Sequence, residues 1–351
     1  MTSVADRSVA TAATRHVDRW FAWYPAVGLA ALIPIGALTP SLPVEVGIAV
    51  FALGTLVIGM AHGAVDHLVP LRAAPDLSLG RSLAAVAIVY AVLGGAVVLA
   101  FFRAPVAAFV GFIVLTWLHW GQGDVAALVV AGVEHLPTSA ERWLSLVVRG
   151  GLPMGVPLFA HPAEYRLVAE WIVGLFVTDG TAAAAVAPVF VPETRLIVGG
   201  AMIVTTLLSA AIGYARVRRG ASRRGWVRDV GEVGVLWGWF LLAAPVFAIG
   251  VYFALWHALR HVGRLVLLDA PAAAAVGRGD TTRALRRFAR DAAPLTLGGF
   301  LVVGGVALAV PSGVVSSGSV LGISLVAIAA MTLPHVVIVA WLDRTQRVWR
   351  P

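Results

Sequence analysis

Nine histidines lie in this 351-residue chain, and six of them fall within or at the ends of apolar runs: His62, His67, His119, His257, His261 and His335. The other three, His16, His135 and His161, sit in a terminal segment or beside prolines and read as solvated. A charged side chain at the centre of a membrane helix costs roughly 2.5–3.5 kcal/mol, so ionisable groups there are usually functional. One neutral histidine could simply hydrogen-bond a neighbouring helix. Six together point to a shared site. His257 and His261 are spaced i,i+4, so they share a helix face and can chelate one ion. His62 and His119 come from two further helices, which brings four imidazoles to one place. Asp66 and Asp124 follow these histidines closely and fit the role of carboxylates that hold the second ring nitrogen. Glycines crowd the same segments (Gly59, Gly63, Gly121, Gly123, Gly263), where they permit close helix approach.

The donor set narrows the chemistry. With no cysteine in the chain, thiolate sites, disulfides and iron–sulfur clusters are excluded. An all-imidazole site suits iron, copper, zinc or nickel, and spacing alone does not choose among them. The i,i+4 pair favours a mononuclear non-haem centre over bis-histidine haem. The full histidine boxes of di-iron desaturases are missing; only HALRH (His257–His261) matches half of that pattern.

The elements that carry these residues are set by composition. Apolar residues make up 60% of the chain and charged residues 13%, with a mean hydropathy of +0.90. A soluble domain carries about 25% charged residues, so the chain reads as an all-α, polytopic membrane bundle. Apolar runs at 21–38, 43–62, 82–101, 105–122, 143–160, 195–215, 230–262, 294–310 and 319–342 give about eight to ten spans. The run 230–262 is too long for one untilted span and contains Pro245, so it reads as a kinked helix or two shorter ones. The stretch 165–178 is short and carries Arg166 and Glu170, which suits an interfacial or re-entrant segment. Residues 1–20 and 343–351 read as cytoplasmic tails around one transmembrane catalytic unit, 21–342.

All 26 basic residues are arginine. The absence of lysine removes Schiff-base chemistry, and with it covalent retinal binding. The net charge of +8 does not indicate a nucleic-acid partner, because the arginines flank apolar runs. Arg216–Arg228, Arg278–Arg290 and the C-terminal tail with Arg344, Arg347 and Arg350 are expected on the cytoplasmic side of a cell membrane. The first two share that side only if 230–262 crosses twice or turns back. With both termini inside, the six histidines lie at similar depth near the cytoplasmic face.

Four blocks carry a family resemblance. GMAHGAVDH (Gly59–His67), WLHWGQGD (Trp117–Asp124), YFALWHALRH (Tyr252–His261) and TLPHVVIV (Thr332–Val339) together resemble the Brp/Blh family of membrane β-carotene 15,15′-dioxygenases, in the expected order over most of the chain. The resemblance implies a non-haem Fe(II) enzyme that cleaves the central double bond of β-carotene with O2 into two retinals. It implies His62, His119, His257 and His261 as both iron ligands and catalytic residues. Asp66, His67, Trp117, Trp120, Asp124, Tyr252, Phe253, Trp256 and His335 are implied as substrate-tunnel residues or as groups behind the ligands. A bilayer-embedded enzyme would receive its hydrocarbon substrate laterally, and the retinal product suggests a functional link to a rhodopsin apoprotein. The rival readings are a transporter or channel with a histidine metal or proton pathway, and a di-iron lipid hydroxylase or desaturase.

Overall fold

The computed structural model describes residues 4–38, 42–73, 77–177, 180–311 and 316–349, and these contain helices and turns but no strand. Residues 1–3 of the N-terminal tail, and Arg350 and Pro351 of the C-terminal one, lie outside this set. Eight helices are long and apolar enough to cross a membrane: α1 (Val9–Leu38), α3 (Leu79–Arg103), α4 (Pro105–Val130), α5 (Ser139–Ala160), α7 (Pro192–Arg218), α9 (Pro245–Leu268), α11 (Thr281–Ala309) and α12 (Ser317–Thr345). Between them lie α2 (44–63), α6 (Pro162–Gly174), α8 (Arg223–Leu242) and α10 (Ala270–Gly277). The chain is therefore a multi-pass, all-helical membrane bundle.

Local chemistry sets the helix ends. Proline opens α4, α6, α7 and α9, at the one turn where its missing N–H is harmless. Thr138 and Glu141 cap the start of α5 reciprocally, and Ser316 and Ser319 do the same for α12. Gly220 (φ +102°) and Gly279 (φ +87°) end α7 and α10 in the left-handed conformation that glycine adopts without strain.

The run 230–262 is two helices. Ala243 and Ala244 have extended backbone (ψ 144° and 134°), and Pro245 starts α9. The break at Pro245 is the division into two shorter helices that the sequence offered; of the two, α9 has the length and apolarity to cross a membrane and α8 does not. At the N-terminus, the segment expected as a tail is helical from Val4 and runs into α1. Its Ala13 and Val17 are buried, and Val9 packs against Gly277 of α10.

Two helices form the centre. The apolar stretches of α5 and α9 are each 72% buried, against 11% in α3 and 17% in α7 and α11, whose leucines and isoleucines face outward. Glycine allows the central helices to touch. A Cβ on Gly150 would meet the Trp117 carbonyl oxygen at 1.9 Å, and one on Gly121 the Leu146 carbonyl oxygen at 2.2 Å, so α4 and α5 pack backbone to backbone. Likewise a Cβ on Gly250 would lie 2.7 Å from Cα of Phe51, which fixes α2 against α9. These contacts bring the histidine-bearing helices together.

Candidate metal centre

Five imidazoles from four helices converge. His62 ends α2, His119 lies in α4, His257 and His261 lie in α9, and His335 follows Pro334 in α12. The His62 ring lies 5.4 Å from His257, 5.6 Å from His261 and 5.1 Å from His335, centroid to centroid. His119 lies 4.8 Å from His257 and 4.9 Å from His335, and His261 lies 5.1 Å from His335. Ring nitrogens of His62, His119 and His335 fall within 4.8 Å of one another. Both π-helical turns beside the site, Thr55–Gly59 and Phe253–Ala258, lie next to or contain a clustered histidine. Such turns insert an extra residue per turn and recur at functional sites.

Two of the five rings are held at one nitrogen, while most of the remaining nitrogens have no partner. Nδ1 of His335 sits 2.8 Å from Oδ2 of Asp66, and that same oxygen accepts a 2.7 Å hydrogen bond from the Tyr90 hydroxyl. Nδ1 of His62 pairs with the Gly59 carbonyl oxygen. Yet Nε2 of His119, His257, His261 and His335 is buried with no hydrogen-bond partner. A buried, unpaired imidazole nitrogen is costly, and several converging ones fit a metal ion held by neutral imidazole lone pairs. The carboxylate–imidazole pairing is the one that orients histidine ligands in metal sites.

Asp66 thus serves His335 and not His62, as the i,i+4 spacing suggested. The helix ends at Gly63, a turn intervenes, and Asp66–Leu68 forms a separate 3-10 turn, so the helical register is lost. His67 lies on that turn, half-buried, with its carbonyl accepting from the Ser82 hydroxyl at 2.6 Å, and makes no ring contact with the five. His335 belongs to the cluster as closely as any of the four residues implied as ligands.

Asp124 serves a different structure. Five residues beyond His119 rotates it about 140° around the helix, away from the imidazoles and into a buried ion network. Arg149, fully buried in α5, donates to Asp124 at 2.9 Å, Asp229 at 2.8 Å and Glu232 at 3.0 Å. Arg260, between the two α9 histidines, lies 3.3 Å from Asp124 and 3.0 Å from Glu232, with its guanidinium 3.9 Å over the Trp256 ring. The Trp256 indole N–H donates to Asp124 at 2.9 Å. Arg228 links Glu232 to Asp18. His135 closes the network through Asp229 at 2.8 Å; it is buried, and not solvated as its loop position suggested. The network ties α4, α5, α8 and α9 together directly behind the histidines.

In front of the histidines lies an apolar cavity of about 360 Å³. His62, His67, His119, His257 and His335 line it, together with Phe51, Phe109, Phe112, Met154, Ile249 and Leu325. Among the aromatics read from the sequence, Trp120 and Phe253 line it, and both contact the His257 ring (5.6 and 6.0 Å). Trp117, Tyr252 and Trp256 do not. Trp117 turns away and donates to the Val147 carbonyl oxygen, and buried Tyr252 stacks on Trp256 behind the cavity wall. Among the described residues no Asp, Glu or Arg lines the cavity, and its buried Thr55 and Thr116 hydroxyls lack partners.

Several functional residues escape sequence reading. Tyr90 looks like any interfacial tyrosine, because its partner is 24 residues away in sequence. Arg149 and Glu232 did carry a signal, being charges within apolar runs.

Fold and site together define a multi-pass membrane protein whose histidine cluster can hold a metal beside an apolar cavity. The family model described as beta-carotene 15,15′-dioxygenase matches residues 53–343, and the chain belongs to that family of carotenoid-cleaving enzymes. It is 39% identical to the probable beta-carotene 15,15′-dioxygenase Blh of Halobacterium salinarum strain NRC-1, over 92% of this chain and 91% of that one. It is 30% identical to the probable beta-carotene 15,15′-dioxygenase Brp of Halobacterium salinarum strain R1, over 88% of this chain and 87% of the other. No solved structure matches the chain.

Proposed function

We propose that this protein is an Fe(II)-dependent β-carotene 15,15′-dioxygenase that uses O2 to cleave the central double bond into two molecules of all-trans-retinal. The observation that carries this reading is the row of unpaired imidazole nitrogens at one wall of an uncharged cavity, inside a membrane bundle. His62, His119, His257 and His261 are the iron ligands of this reading, joined by His335, whose ring is fixed by Asp66 and Tyr90. Iron at this place supplies the oxygen chemistry. The residues of the chain do the rest. Phe253 and Trp120 press the substrate's conjugated chain against the histidine wall, and the cavity length determines which double bond stops there. Exclusion of water follows from the apolar lining.

In this reading residues 21–342 form one catalytic unit in the cytoplasmic membrane, flanked by cytoplasmic tails. β-Carotene reaches the cavity from the bilayer, and a rhodopsin apoprotein in the same membrane consumes the retinal. The test is expression in a host that accumulates β-carotene and makes no retinal, followed by pigment extraction and metal analysis. Loss of orange colour, appearance of retinal and one iron per chain are expected. Persistent β-carotene with folded, iron-loaded protein would sink the proposal; two irons per chain would favour a di-iron hydroxylase.

A further inference from the structure

The second concave feature of the molecule lies away from the histidines, between α10 and the first turns of α11. This groove of about 460 Å³ is lined by Pro271, Ala274 and five arginines: Arg278, Arg283, Arg286, Arg287 and Arg290. Among the described residues, two of the five have a carboxylate partner. Arg287 pairs with Asp269 and Arg290 with Asp291, and both carboxylates are shared with Arg72. Asp280 is engaged at the backbone N–H of Arg283. Among the described residues no ion pair engages the guanidiniums of Arg278, Arg283 and Arg286, which are exposed on the same groove.

Such an arrangement opposes itself. Arg283 with Arg287, and Arg286 with Arg290, are like charges at i,i+4, a spacing that destabilises a helix. Six guanidiniums, counting Arg72, face three carboxylates there. Helix α11 continues without a break from this groove into an outward-facing apolar stripe, with Leu297, Leu301 and Leu308 at 66%, 78% and 91% exposure. Arg290 precedes Leu297 by seven residues, about 10 Å along the axis. The groove therefore sits at headgroup depth beside the hydrocarbon layer.

We propose that this groove binds the phosphate headgroup of an anionic membrane phospholipid, with Arg278, Arg283 and Arg286 as the recognising side chains. Guanidinium forks match phosphate oxygens in pairs, and basic pockets between membrane helices on the interfacial side select anionic lipids. Pro271 and Ala274 leave an apolar floor for the glycerol end. The site also has a short path to the metal centre: Arg287, Asp269 and Arg72 form a continuous ion chain, and Arg72 lies six residues after Asp66.

The test uses the full chain in vesicles of phosphatidylcholine with a minority of phosphatidylglycerol, then native mass spectrometry of the released protein. The native chain should retain phosphatidylglycerol over phosphatidylcholine. The triple variant Arg278→Gln, Arg283→Gln, Arg286→Gln should lose that retention, on the order of 100-fold in affinity for three interfacial arginines. These side chains are exposed, so its unfolding temperature in phosphatidylcholine alone should match the native chain. If it does not, the three single variants replace it, and their losses should multiply. A second triple variant, Arg218→Gln, Arg219→Gln, Arg223→Gln, removes equal charge from the other basic loop and should retain the lipid. Unchanged retention in the groove variant, or equal loss in both, overturns the proposal. Inorganic phosphate that protects against heat as well as phosphatidylglycerol does also overturns it, by assigning the groove to a soluble anion.

Discussion

Asp66→Asn separates an orienting carboxylate from a bystander. One oxygen, Oδ2, takes both the Nδ1–H of His335 at 2.8 Å and the hydroxyl of Tyr90 at 2.7 Å, at a fully buried site. Asparagine keeps the shape and an acceptor oxygen but loses the charge. Hydrogen bonds to charged groups contribute about 1.5–3 kcal/mol and neutral ones about 0.5–1.5, so each of the two weakens by about 1 kcal/mol. If both losses fall on the metal-bound state, the total of about 2 kcal/mol predicts roughly a 30-fold drop in metal affinity, within the 10–100-fold range of such partners. Tyr90→Phe removes one such bond outright, about 1.5–3 kcal/mol, and should cost a comparable amount on the same scale. Competition against a chromophoric chelator, with Fe(II) and separately Co(II), measures both. Affinity of Asp66→Asn within about threefold of the native protein would refute the reasoning, because His335 would then need no oriented nitrogen.

Three further outcomes follow from the geometry. His62→Ala, His119→Ala, His257→Ala and His261→Ala should each abolish carotenoid cleavage and lower bound iron; full iron stoichiometry in any one removes that residue from the ligand set. Arg149→Met removes the cation shared by Asp124, Asp229 and Glu232, leaving Asp124 and Glu232 on Arg260, and should destabilise by about 2–4 kcal/mol in detergent unfolding curves. A loss below about 1 kcal/mol would mean the carboxylates are neutral. Gly150→Ala forces α4 and α5 apart and should cost about 1–3 kcal/mol or more, whereas Gly111→Ala, with nothing within 4 Å, should be neutral. Equal unfolding midpoints for the two variants would contradict the close approach.

The histidine blocks were legible because each is local: His257 and His261 show their i,i+4 spacing within α9, and Pro245 announces the break between α8 and α9. What sequence could not show is which way a side chain turns once the helix ends or rotates. Asp66 stands four residues after His62, yet the helix stops between them and the carboxylate swings to His335, 269 residues away. Asp124 looks equally close to His119, but one extra residue turns it to the opposite face and into the arginines. His335 shows the converse. Its block carries one histidine and no spacing partner, so its depth placed it near the others, and the folded bundle adds the ring contacts and the pairing with Asp66 that make it a full member of the cluster.

The ion network behind the site has a consequence for how the protein is made. Arg149 lies in the middle of α5, and its partners Asp229 and Glu232 stand 80 and 83 residues further along the chain. When α5 leaves the ribosome, those partners have not been synthesised, and a lone arginine at that depth costs roughly 2.5–3.5 kcal/mol. Helix α5 can settle only alongside Asp124 of α4, or must wait at the insertion machinery until α8 arrives. Biogenesis thus acquires an order: the ions behind the histidine wall can close only once α8 has followed α5, and a chain halted before α8 should be cleared by membrane proteases.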